Sequence, residues 1–216
     1  MKTIGQGLKG RLAASNGLRA GLRDQRGATI PELMAIIIIA GALAIIAVPL
    51  FTDLRNASQA AVSNQTASAF ASTMKQAKAN WMARGSSSGA QLNVPGFGNG
   101  TLDYSDLGYP VGTSVASTGA TSSLPTDAQC REVFQALIPS ATVAIPADGY
   151  PAPGKAYQAQ SNGGAWSYCT YYKLTPAGSY SGSYFYYEIG LPSQAQSRGY
   201  VVARDGVTGL DKFFVP

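Results

Sequence analysis

The sequence predicts an α+β fold in which one long N-terminal helix packs on a C-terminal antiparallel β-sheet. Three observations predict it. Residues 33–51 form a run of nineteen residues without a charge, almost all of them apolar. Farther on, Phe70, Met74, Ala77 and Trp81 recur at the spacing of one helix face. In the last third, Trp166, Tyr168, Thr170 and Tyr172 alternate with Ser167, Cys169, Tyr171 and Lys173, the period of a strand.

The apolar run is the first element to justify. As a helix, residues 33–51 would be about 28 Å long at 1.5 Å per residue, close to the hydrocarbon thickness of a bilayer. A secretory signal carries its small-residue cleavage site after the apolar segment. Here a basic residue and a glycine, Arg26-Gly27, stand before it, and a lone carboxylate, Glu32, follows. A cut at Gly27 therefore leaves the apolar helix on the mature chain. Pro31 falls in the first turn, where its missing N–H costs little. Pro49 is interior and is expected to kink the helix or loosen its hydrogen bonding. The helix is expected to run from Ala28 to Arg84, about 85 Å, and to end at Arg84-Gly85 and the Ser86-Ser87-Ser88-Gly89 run. Phe70 to Trp81 read as a face packed on the chain's own domain. The first half has no such partner unless other subunits supply one.

Charge places the ends of that helix. A net charge of +5 and a pI near 9.2 are the footprint of a nucleic-acid binder only where the charge is spread over a folded face, and here the excess is local. Residues 1–27 hold six basic side chains (Lys2, Lys9, Arg11, Arg19, Arg23, Arg26) against one acid, Asp24, and the remainder is neutral. By the positive-inside rule such a leader stays in the cytoplasm and everything after Phe51 is exported. Topology alone accounts for the basic residues, and no nucleic-acid partner is expected.

Arg26-Gly27, Thr29, Glu32, Gly41 and Pro49 stand in a register that resembles the signal of type IV pilins and pseudopilins. Counted from Ala28 as first mature residue, Thr29 is second, Glu32 fifth, Gly41 fourteenth and Pro49 twenty-second. The likeness covers roughly residues 26–55. Ala28 departs from the usual Phe or Met, and Pro31 from a branched apolar residue; the long leader is similar to the type IVb subclass. The resemblance implies cleavage by a prepilin peptidase between Gly27 and Ala28, N-methylation of Ala28, and roles for Glu32, Gly41 and Pro49 in assembly. It also implies a pilin-like roll: a leader (1–27), the transmembrane and filament-core half of the helix (28–52), its amphipathic second half (53–84) and an exported globular domain (85–216).

Within that domain, residues 85–125 are rich in Gly, Ser, Thr and Pro and read as an irregular connection with one short strand or helix. Thr126-Asp127-Ala128-Gln129 has the form of a capping box. Cys130, Val133, Phe134, Leu137 and Ile138 make an amphipathic face that Pro139 ends. Residues 166–174, 184–191 and 199–204 read as strands, and Asp205-Gly206 as a turn into 212–215, for an antiparallel sheet of three to five strands. The tyrosines from Tyr168 to Tyr187 fit core and strand propensity, with a sugar- or protein-binding face as the alternative. Two cysteines in an exported domain favour a disulfide. Cys130 to Cys169 closes a loop of forty residues, worth about 4 kcal/mol by chain entropy. With 47 residues beyond Cys169, the bridge cannot take the near-C-terminal place seen in many pilins.

Little catalytic chemistry is available. The chain has no histidine, so neither a His-based triad nor a His metal site exists. Gly96-Phe97-Gly98-Asn99-Gly100 lacks the Lys-Ser/Thr of a phosphate loop. Asp103 and Asp106 read as surface acids rather than a calcium site. No enzyme activity, metal or cofactor is expected. The expectation is instead a major structural subunit of a type IV pilus, a homo-polymer, in contact with prepilin peptidase, the assembly platform and the bacterial inner membrane before it reaches the extracellular pilus. Adhesion, conjugation and secretion are possible services of such a fibre. A minor pilin or type II secretion pseudopilin is the nearest alternative, and a single-pass anchored binding protein the second.

Overall fold

The computed structural model describes residues 29–85, 90–114, 125–162, 167–189, 199–204 and 211–214. The chain divides into two compact units at the Val48–Pro49 junction. Helix α1 spans Ile30–Ala83, with Pro49 inside it. The Pro49 ring has no N–H to give to the preceding turn.

In the first unit the described residues are the start of α1, and their side chains are exposed throughout. Ile36, Ile37, Ile38 and Ile39 are 60–71% exposed. Such a surface has no stable place in water, because burying each of these side chains stabilises by roughly 1.5–3 kcal/mol.

In the second unit α1 turns a different face to its surroundings. Ala60, Ser63, Ala67, Phe70, Ala71, Met74, Ala77 and Trp81 are buried at spacings of one, three or four residues. Phe70 stands at the centre of the core, its ring 5.5–5.8 Å from those of Phe134, Tyr171, Phe185 and Tyr187. These distances are those of edge and offset aromatic packing.

The antiparallel-rich sheet has six strands: β4 (Val143–Ala144), β5 (Tyr157–Asn162), β6 (Tyr168–Leu174), β7 (Tyr180–Glu188), β8 (Val201–Arg204) and β9 (Asp211–Phe214), adjacent in that order. Every pairing is antiparallel except β4 with β5. The sheet is thus larger than the expected three to five strands. β5 escapes a sequence pattern because Gln158 and Gln160 alternate with only one large inward residue, Tyr157. The alternation expected in β6 holds, with Cys169 and Tyr171 in the core. Trp166 and the Asp205-Gly206 turn lie outside the described residues, as do residues 86–89.

The connection after α1 is not irregular. It forms a second sheet of three short antiparallel strands, β1 (Gln91–Val94), β2 (Leu102–Tyr104) and β3 (Pro110–Gly112). Strands this short give no readable period, and buried Leu102 and Tyr104 tie them to the core instead. Asp103 is buried rather than solvated, and its carboxylate accepts the Asn93 N–H at 2.8 Å. Gly108, in the β2–β3 turn with φ +77°, lies flat on Trp81; a Cβ there would fall 2.5 Å from the indole.

Helix α2 (Asp127–Leu137) opens with the full capping box of Thr126 and Gln129. Asp127 accepts the Ser161 N–H at 2.6 Å, which fixes the helix to the end of β5. Two fully buried tyrosines connect layers. Tyr171 donates its hydroxyl to the Cys130 carbonyl and Tyr187 to that of Pro110, both at 3.0 Å.

Candidate functional site

The candidate site is the start of α1, where an apolar helix carries one carboxylate. Thr29 is the N-cap and Ile30 the first helical residue, so Glu32 occupies the third helical position. The Leu33 N–H donates to the Thr29 carbonyl at 3.0 Å, closing the first turn. The Thr29 N–H donates to Glu32 Oε2 at 2.8 Å. A helix N-terminus leaves amide donors without intrahelical acceptors. The Glu32 carboxylate satisfies one of them and places negative charge at the positive end of the helix dipole.

Sequence reasoning missed this partner, although the signal was present: Thr29-Ile30-Pro31-Glu32 has the S/T-x-x-E spacing of a capping box. The amide belongs to the peptide joining residues 28 and 29, so a cut between residues 27 and 28 would leave it in place.

The other positions are spread along α1 rather than gathered around Glu32. Gly41 has no atom within 4 Å of where its Cβ would stand, so its surface is open to close approach by another chain. Pro49 lies at the start of the second unit. Gly27 and Ala28 lie outside the described residues. Cys130 and Cys169 are joined in a disulfide with Cα atoms 5.4 Å apart, linking α2 to β6 inside the core.

The N-terminal part of α1 is long and apolar enough to cross a membrane, with a mean hydropathy of 2.9 over its most apolar stretch, none of it buried within the protein. This is consistent with a membrane-anchored protein. Among the described residues no group of three or more His, Cys, Asp or Glu side chains is placed to hold a metal ion. No family model, curated protein or solved structure matches the chain.

Proposed function

We propose that the chain is a type IV prepilin, most simply the major subunit of its filament. The observation that carries this reading is the exposed apolar start of α1, with its single carboxylate capping the first turn behind an Arg26-Gly27 processing signal. A prepilin peptidase cuts between Gly27 and Ala28 and the new amine is methylated. The helix waits in the inner membrane with the leader in the cytoplasm and the globular unit outside. Subunits then exchange lipid contacts for helix–helix contacts as they join the filament core. Gly41 permits close approach there, and the globular units face outwards.

A single-pass anchored binding protein also needs an apolar helix, and the Glu32 cap would serve it as well, but it gives no reason for an Arg26-Gly27 pair standing directly ahead of that helix. Electron microscopy of sheared surface fibres, with N-terminal sequencing of their subunit, tests the proposal. Fibres whose subunit begins at Ala28 are expected. A membrane protein that keeps its leader and never appears in fibres overturns it.

A further inference from the structure

The six-stranded sheet has aromatic side chains on both faces, and only one face is covered by α1 and α2. On the other, β6 presents Tyr168, Thr170 and Tyr172 and β7 presents Tyr184, Tyr186 and Glu188. Register sets Glu188 opposite Tyr168, Tyr186 opposite Thr170 and Tyr184 opposite Tyr172. Asn162, at the end of β5, lies opposite Tyr168. Tyr168 and Tyr172 are four residues apart on one strand, about 13 Å, with the small Thr170 between them. The result is a cleft of about 540 Å³ floored by Thr170 and walled by the Tyr168–Tyr186 and Tyr172–Tyr184 ring pairs, each with centroids 5.5 Å apart.

Its polar groups are arranged for a ligand. The Asn162 Nδ2 donates to Thr170 Oγ1 at 2.7 Å, which holds the amide still and leaves its carbonyl oxygen available. Tyr184 accepts from Arg204 Nη1 at 3.3 Å and keeps its own O–H to donate. Among the described residues, the phenol oxygens of Tyr168, Tyr172 and Tyr186 and the Glu188 carboxylate have no hydrogen-bond or ion-pair partner. Burial raises the Glu188 carboxyl above its ordinary pKa, so its charge is under-solvated where it stands.

We propose that this cleft binds a neutral saccharide, with a pyranose ring seated over Thr170 between Tyr168 and Tyr172. Every lining side chain ends in a polar atom, yet the walls are ring faces. That pairing suits a ligand with apolar C–H faces and a hydroxylated edge. The ring faces stack on tyrosine, and the hydroxyls meet the Asn162 carbonyl, the free phenols and Glu188. The scale is that of a small ligand, since pockets for these run to roughly 300–1,000 Å³. A stable protein partner needs about 800 Å² and 20–30 residues a side, against seven lining residues among those described here. Glu188 faces any sialic acid or uronate with like charge. The inference concerns the globular unit alone and stands whether or not the chain polymerises.

The test uses the full chain in detergent micelles on immobilised neutral, sialylated and uronate-bearing glycans, with a choline-bearing surface alongside. It is followed by titration with the methyl glycosides of glucose, galactose, mannose and N-acetylglucosamine. Binding to neutral glycans is expected, and Thr170→Trp, which fills the seat, and Tyr172→Ala should each weaken it about tenfold or more. Both variants must keep the Cys130–Cys169 bridge and the wild-type melting temperature, and Tyr168→Ala replaces either that does not. Absence of glycan binding by the wild type, preference for choline or for acidic glycans, or undiminished binding by the folded variants overturns the proposal.

Discussion

Glu32 separates two physical roles that a single substitution confuses. Its carboxylate caps the helix through the Thr29 N–H at 2.8 Å. In a filament it would also meet the Ala28 amine of a neighbouring subunit, neutralising two charges in an apolar core. Loss of a cap costs about 1 kcal/mol, roughly a fivefold effect on an equilibrium. Removing one partner of a buried ion pair costs about 3–5 kcal/mol, and each 1.4 kcal/mol is tenfold, so subunit addition would weaken by roughly 100- to 4,000-fold. The two roles are therefore well apart in magnitude.

Glutamine can accept the same Thr29 N–H, as capping boxes allow, but it carries no charge. Alanine removes both. If pairing governs assembly, Glu32→Gln and Glu32→Ala are both cleaved, both stay in the membrane, and both yield few or no fibres. If capping governs it, Glu32→Gln behaves as wild type and only Glu32→Ala declines. The assay is the yield of sheared fibres by electron microscopy and immunoblot, normalised to cleaved subunit in the membrane fraction. Wild-type fibre yield from a cleaved Glu32→Gln subunit would falsify the pairing argument.

The remaining predictions address processing, the bridge and the core. Gly27→Val should block cleavage, because a branched side chain does not fit a scissile site that accepts glycine; mature protein starting at Ala28 in an intact-mass measurement refutes this. Cys169→Ser should lower the amount of folded, exported protein by loss of about 4 kcal/mol, while denaturing, non-reducing alkylation of the wild type labels neither cysteine. Gly108→Ala should cost roughly 2–4 kcal/mol, from left-handed backbone strain and overpacking against the indole of Trp81, read as a lower denaturation midpoint. Burial raises the Tyr104 phenol to about 12. Between pH 10 and about 12 the folded state keeps that proton and the unfolded chain has lost it, so stability should fall as pH rises through this range. Tyr104→Phe should flatten the fall, and an unchanged alkaline unfolding profile would count against the assignment.

How much of this was legible in the sequence depended on whether an element had a period. α1 was legible because its apolar run and the Phe70–Trp81 stripe each repeat over several turns. α2 was legible through Thr126 and Gln129, which are both found in the cap. β6 announced itself by alternation and β7 by the aromatic run Tyr184 to Tyr187, although β7 begins at Tyr180 and ends at Glu188 instead of spanning 184–191, because Ser181, Gly182 and Ser183 carry no strand signal. β1, β2 and β3 have three or four residues each, too few for any alternation to rise above the glycines and serines around them. β5 is held by backbone pairing along all six of its residues, not by a hydrophobic pattern, and its parallel neighbour β4 has only two residues. Asp103 looked like a surface acid because nothing local reveals that β2 is buried on every residue. The partner of Glu32 was legible as well, since the Thr29-x-x-Glu32 spacing names an uncharged donor, the Thr29 N–H.

The two faces of the sheet show why propensity alone does not account for its tyrosines. Strand preference favours aromatic and β-branched residues alike, so it would accept valine or threonine at any of these positions. On the inner face the hydroxyls are used: Tyr171 and Tyr187 are fully buried and each satisfies a carbonyl of another element, which phenylalanine could not do. On the outer face no such need exists for Tyr168, Tyr172 or Tyr186, whose hydroxyls meet no described protein group. Folding therefore accounts for the Tyr171 and Tyr187 hydroxyls, whereas on the outer face it accounts for the cross-strand ring pairs but not for the hydroxyls they carry. Four phenols, an amide and a carboxylate around one small threonine are more polar capacity than a solvent-facing strand pair requires. A ligand with a hydroxylated edge would use that capacity.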